Sequence, residues 1–265
     1  DTGFREQRIQ DMLSNRAGVR PPDGPISLAD MATYQYDTVS LEAARLVPFL
    51  HDAAERRPDL VTPEMTDALQ RLRDWGTGKE GSSAWDSTSG VDPADVRNDV
   101  PPRSKPVTAE EKADAVATSI YAAWSTRLVR ATLIDDFDSS GIGVPSGDFA
   151  SKALLHILED IDRTDPGFVV HTKGDNGEST LWDNRSTPEL ETRDDILLGA
   201  LRDALPFLAD KFGSTNPEDW LWGKIHQARF QHFFGQAGIP SFDLGNFPAP
   251  GAPVTWKGAR RAASA

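Results

Sequence analysis

Apolar residues recur along most of this chain with a period near 3.6, and strict apolar–polar alternation is scarce. That pattern predicts amphipathic helices on a shared core rather than extensive sheet. Helix starts are clearly punctuated. Ser27, Leu28 and Asp30 form an S-x-x-D capping box that opens a helix predicted to run toward Leu50. Thr62-Pro63-Glu64 places an N-cap, a first-turn proline and an acid at the positive end of the helix dipole. Thr108-Ala109-Glu110-Glu111 opens another helix, expected to reach about Leu133. Thr192-Arg193-Asp194-Asp195 opens one that ends near Phe212, with Gly213 as its stop. Asn216-Pro217-Glu218-Asp219 starts the last. Between Asp165 and Trp182 the helical period fades. There Phe168-Val169-Val170-His171 and Ser179-Thr180-Leu181-Trp182, around Gly174-Asp175-Asn176-Gly177, predict a small hairpin.

Two stretches carry neither period. Gly76 to Pro106 is rich in Gly, Ser, Asp and Pro and reads as a long loop or flexible linker. Ile239 to Ala265 reads as irregular coil. The expected organisation is a helical segment over 1–76, a linker over 77–106 and a second helical segment over 107–265. The expected class is mainly α with a small β contribution.

Composition narrows the chemistry. The 265 residues contain no cysteine, which removes disulfides, thiolate metal sites and a Cys nucleophile. A net charge of −13 argues against a nucleic-acid partner and against a polybasic membrane-surface protein. No apolar run approaches the roughly 20 residues of a membrane span. The start, Asp1-Thr2-Gly3-Phe4-Arg5, has neither a charged n-region nor an apolar h-region, so no signal peptide is expected. A first residue other than Met suggests processing or a piece of a longer chain.

Phosphate-cradling glycine motifs and a G-x-S-x-G elbow are both absent. Asp136, Asp138, Ser140 and Gly141 match the first positions of a calcium loop, but Gly147 stands where the bidentate acid belongs, so a polar turn after a helix is expected. Of the five histidines, His226 and His232 lie six apart, about 240° around a helix, and cannot share a metal on one face. The adjacent acids Asp135-Asp136 and Asp194-Asp195 point to different sides and read as solvated charge, with Asp195 also aiding a helix start. Trp222, His226, Phe230 and Phe233 are spaced 4, 4 and 3 apart, which predicts one helical face. His226 there is either buried in an aromatic stripe or a catalytic group.

Several segments resemble, in order, those of penicillin acylase-type enzymes. Arg8-Ile9-Gln10-Asp11-Met12-Leu13 is similar to an R-[IV]-x-x-[IL]-L element, and Gln35 to Ala43 to a Q-x-D-x-x-S-x-x-A helix. Leu201 to Leu208 followed by Gly213 resembles an L-x-x-A-L-x-x-L…G helix, and Trp220-Leu221-Trp222-Gly223-Lys224-Ile225-His226 a W-x-W-G-x-x-H segment. Phe247-Pro248-Ala249-Pro250-Gly251 through Val254-Thr255 resembles a degraded P-x-x-G-G-x-x-T-V element.

The resemblance implies the helical portion of an α+β N-terminal-nucleophile hydrolase with an αββα core. In that family a precursor cleaves itself, and the new N-terminal Ser of the second chain attacks an amide. Its own α-amine, with a pKa of about 8, serves as base, and backbone and Asn donors hold the oxyanion. Substrates implied are penicillins, cephalosporins or acyl-homoserine lactones. Here Asp1 stands at the N-terminus, and neither the nucleophile nor the oxyanion Asn has a counterpart. Trp75-Gly76 also departs from the family's W-D-G. The chain therefore looks like the central part of the second chain, inactive alone, with the α chain and the rest of the second chain as partners. An apolar, exposed face toward those partners is expected. Arg8 carries over as an arginine near the active site, suited to organising a pocket by its planar fork, or else as a salt-bridge partner of a nearby acid. No cofactor is implied, with calcium left open for the complete enzyme. The family implies a periplasmic or secreted location. The rival expectation is a non-catalytic helical interaction module related to the acylases.

Overall fold

A computed structural model describes residues 3–14, 25–78, 83–141, 143, 148–159, 173–174, 176–236, 238–239 and 243–252. Helices α1 (Phe4–Leu13), α2 (Leu28–Gln35), α3 (Leu41–Arg56) and α4 (Pro63–Thr77) come first. Then follow α5 (Pro93–Val96), α6 (Ala109–Ser140), α7 (Asp148–Leu158), α8 (Arg193–Phe212) and the short α9 (Phe233–Gln236). The strands β1 (Gln227–Phe230) and β2 (Leu244–Pro248) form an antiparallel pair, with Phe230 opposite Leu244. The mainly helical class with a small β contribution is what the hydrophobic period predicts.

The core forms where α6 and α8 pack together, with α3 and α4 alongside. Leu197, Leu201, Ala204 and Leu208 follow the 4-3-4 spacing of one helix face, and all are enclosed. α6 is different. From Asp114 to Tyr121 every side chain is buried, so neighbours surround this part of the helix and its sequence shows no polar face. Trp75, Tyr121 and Trp124 form a row with centroids 5.8 and 6.2 Å apart. Their polar ends are satisfied: Tyr121 Oη donates to Glu42 Oε2 at 2.8 Å, and Trp124 Nε1 to the Leu197 carbonyl at 3.1 Å.

Most caps behave as the sequence predicts. Ser27 and Thr192 form complete capping boxes, Thr62 accepts from the Met65 amide, and Gly213 ends α8 at φ +65°. Five expectations need correction. The helix opened by Ser27 stops at Gln35, because Val39 leaves it to bridge Asp86 and Ser40 caps a new helix through the Ala43 amide. The helix from Thr108 runs on through Asp136 to Ser140, so Asp136 is not in a turn. The predicted strand Ser179–Trp182 is a 3₁₀ turn after a Lys173–Ser179 bridge, while its partner Phe168–His171 lies outside the described residues.

The fourth is the predicted aromatic helix. Asn216 opens only the 3₁₀ turn Pro217–Asp219, a second turn spans Trp222–Lys224, and β1 follows. Both tryptophans hold the chain in this tight course: Trp220 Nε1 donates to the Ser214 carbonyl at 2.8 Å and Trp222 Nε1 to the Gly251 carbonyl at 3.1 Å. Gly223 fits against Ser89 and Pro248, where a Cβ would meet atoms at 2.9 Å. Residues 222 to 233 therefore share no helical face. Residues 239–252 likewise are not all coil, since they include β2.

Candidate functional site

The segment read as a linker is, from Ser83 to Val91, a strap across the molecule. The Ser40 amide donates to Trp85 O at 2.9 Å, Ser87 N to Thr38 O at 3.1 Å, Gly251 N to Ser87 O at 2.7 Å and Gly223 N to Ser89 O at 2.8 Å. Four distant stretches, 38–40, 85–91, 223 and 251, are stitched together by these main-chain bonds. Polar side chains gather along this seam. Trp85 holds φ +63°, a sterically disfavoured conformation for a bulky residue. Its indole packs edge-on against Trp75 at 5.2 Å, and Trp75 Nε1 donates to Asp86 O at 2.8 Å.

Arg8 lies beside the stretch that meets the strap at Trp85 and Ser87. Its Nε is 3.1 and 3.0 Å from the two oxygens of Asp37, and its terminal nitrogen is 2.5 Å from Oδ1. Both side chains are largely enclosed, at 12 and 7 % exposure. A forked guanidinium on a carboxylate in such a setting is a rigid, charge-neutral fixture. Asp86 lies beside it, with Thr38 Oγ1 donating to its carboxylate. Burial pushes the Asp86 carboxyl above the usual range, opposed by the Thr38 bond; nearby Asp37 and Glu111 push it up further, and Arg8 draws it down. Burial outweighs the Thr38 bond, so a proton is held on Asp86 more readily than on a free aspartate.

His226 lies beside the two stretches that meet the strap at Ser87 and Ser89. Its ring stacks on Trp222 at 4.9 Å and 18°, and Nδ1 is 2.8 Å from the Ala249 carbonyl. The Ala249 amide returns a bond to His226 O at 2.9 Å, which fastens the end of β2 to the turn before β1. Arg8 thus reaches the strap through the Asp37–Thr38 stretch and His226 through the stretches at Gly223 and Gly251, each engaged with neighbours. Asp37, Thr38, Asp86 and Trp85 were not singled out from the sequence. Asp37 was within reach, because it is the acid of the Q-x-D segment and Arg8 the base of the preceding one.

The remaining candidates fall elsewhere. Asp136 pairs with Arg185 at 2.7 Å; the other calcium-loop positions include residues whose side chains are outside the described set. Asp194 is not solvated. It is buried under a two-point contact from Arg56, both bonds at 2.7 Å. Among the described residues no three acids or histidines converge as metal ligands. No helix there is long and apolar enough to cross a membrane.

A family model described as Penicillin amidase matches residues 1–264. The chain belongs to the penicillin amidase family. That membership makes it part of an acylase-like amidohydrolase lineage at family level. No individual curated protein matches it significantly. Of the segments that resemble penicillin acylases in sequence, Gln35–Ala43, Trp220–His226 and the one through Gly251 bond the strap, and the Arg8 segment reaches it through Asp37.

Proposed function

We propose that this chain is the central, mostly helical part of the second chain of a penicillin acylase-type enzyme. The complete enzyme would hydrolyse the amide between an acyl group and an amine, in a β-lactam side chain or an acyl-homoserine lactone. In this reading an N-terminal Ser outside these 265 residues attacks the amide carbonyl. Its α-amine takes the hydroxyl proton and returns it to the leaving amine. Arg8, held by Asp37, serves as a rigid, charge-neutral fixture that organises the surroundings of the active site, and His226 as a rigid support where the end of β2 meets the turn before β1.

The observation that carries this reading is the family match over residues 1–264. The chemistry of the strap agrees with it. The Arg8–Asp37 pair is suited to fixing geometry rather than to moving protons, so the reacting groups are expected from elsewhere. The α chain and the rest of the second chain are the proposed partners. Exposed apolar residues favour them: Leu28 is 88 %, Phe233 74 % and Phe230 65 % exposed. A periplasmic or secreted location rests on the family alone.

The test is an amide-hydrolysis assay on the purified 265-residue chain, alone and combined with the polypeptide encoded on either side of it. No turnover alone and turnover on reconstitution is the expected result. Turnover by the chain alone, abolished by replacing one of its own Ser or Thr residues, would overturn the proposal. A reading frame with no Gly-Ser processing junction upstream would instead favour a non-catalytic interaction module.

A further inference from the structure

Three asparagines fold their carboxamides forward in the same way. Asn176 Oδ1 accepts from the Glu178 amide at 3.1 Å, Asn184 Oδ1 from the Ser186 amide at 3.1 Å, and Asn216 Oδ1 from the Glu218 amide at 3.3 Å. A bond to the N–H two residues ahead wraps the side chain around the backbone nitrogen in between. In each turn that nitrogen is the atom that would close a five-membered ring on the carboxamide carbon. What differs is the residue that owns it: Gly177, Arg185 and Pro217. The proline nitrogen has no hydrogen to give up. The arginine carries a Cβ that crowds the approach. Glycine has none, and Gly177 holds φ +79° with nothing within 4 Å of where a Cβ would be.

We propose that Asn176-Gly177 is a self-modification site, at which the chain converts its own carboxamide to an acid. The Gly177 nitrogen loses its proton to water and attacks Asn176 Cγ. A C–N bond forms, the Cγ–Nδ2 bond breaks, and Nδ2 leaves as ammonia after taking a proton from solvent. Water then opens the five-membered imide at either carbonyl, giving an aspartyl or an isoaspartyl residue at position 176. No oxidant, reductant or cofactor enters. The Glu178 amide already donates to Oδ1, the oxygen on which negative charge develops. The Gly177 N–H donates to Gly174 O at 3.0 Å, and this bond must open first. Asn176 and Gly177 are both exposed, where such openings are frequent.

The turn is joined to the central packing. Glu178 Oε2 accepts from the Arg193 amide, the first of α8, at 2.9 Å. An isoaspartyl link inserts a methylene into the backbone two residues before Glu178 and turns the side-chain oxygen that accepts from its amide into a main-chain carbonyl, which breaks up the turn. The carboxylate then shifts, and the start of α8 loses a bond.

The experiment holds the full chain at neutral pH and physiological temperature, samples it over weeks, and maps peptides by mass spectrometry with fragmentation that separates aspartyl from isoaspartyl. Position 176 is expected to convert at least about tenfold faster than Asn184, with no conversion at Asn216. Arg185→Gly should bring Asn184 up to a comparable rate. The converted species, separated by its extra negative charge, should melt about 2–4 °C lower. Asn184 keeping pace in the natural sequence overturns the proposal. So does an intact position 176 in the folded chain while the same segment, released by proteolysis, converts. An unchanged melting temperature overturns the link to α8.

Discussion

Single atoms decide several positions here. Gly76 lies in the last turn of α4, where Ala would ordinarily add up to about 1 kcal/mol of helix stability. A Cβ there would be 2.5 Å from Trp85 Cζ2. The indole cannot swing away cheaply, because Trp85 is held at both its amide and its carbonyl and packs on Trp75. Overpacking of this kind costs about 1–3 kcal/mol, so Gly76→Ala should be net destabilising, by about 1–2 kcal/mol in urea unfolding. Asp194 gives a second residue-scale prediction. Burial pushes its carboxyl up, but the bonds and charge of Arg56, aided by Arg193, outweigh this and hold it below the usual range. Stability from a carboxyl with a depressed folded pKa is present above its unfolded value, near 3.8, and is lost as pH falls through the folded one. Arg56→Met should therefore cost about 1–2 kcal/mol at neutral pH, toward the low end because Arg56 is half-exposed. That deficit should shrink when the same unfolding curves are taken near pH 3.

At the scale of elements, what is legible depends on how local the cause is. Thr62, Thr192 and Gly213 act within one turn, and their sequences announce the ends of α4 and α8. Thr192→Ala should cost about 1–2 kcal/mol, because it removes one half of a capping box on the helix that α6 packs against. Ser27→Ala removes the same box from α2, whose residues are mostly exposed, and its cost should be about 0.5 kcal/mol or less. Thermal melts of the two variants side by side test the contrast. Causes acting over long range stay hidden. Nothing near Gln35 indicates that Val39 will pair with Asp86, and nothing near Asn216 shows that Trp222 will bond Gly251. Trp222, His226, Phe230 and Phe233 carry helical spacing, yet tertiary bonds from residues far along the chain override it. The strap was missed for a related reason. A segment poor in apolar residues reads as a linker, whereas its order comes from main-chain bonds to residues 38–40, 75, 223 and 251. Of the site, Arg8 and His226 were legible as motif residues. The acid of the Q-x-D segment, Asp37, was within reach as the partner of Arg8, whereas Ala249, the partner of His226, was not, because that bond depends on the folded course of the chain.

For the molecule as a whole, one core joins helices from before and after the strap, yet the C-terminal ribbon lies apart from it. β1 and β2 pair with each other, and a two-stranded ribbon is marginal by itself in water. This one carries Phe230 and Leu244 opposite each other, with Phe233, Phe234 and Ile239 close in sequence, and all five are exposed. Fastenings from the strap and from His226, rather than burial of its own apolar side chains, hold it in place. Surface of that kind drives association when nothing covers it. Phe230→Thr combined with Phe233→Ser should lower self-association of the isolated chain, measured by sedimentation or light scattering across a concentration series. The melting temperature should move by no more than about 2 °C, because exposed substitutions rarely change stability by more than about 0.5 kcal/mol. A large loss of stability would place these aromatics inside the fold's own packing. Unchanged association would mean that the ribbon is not the surface by which the chain meets other polypeptide, and would direct the search for partners to the face around Leu28 and Tyr36 instead.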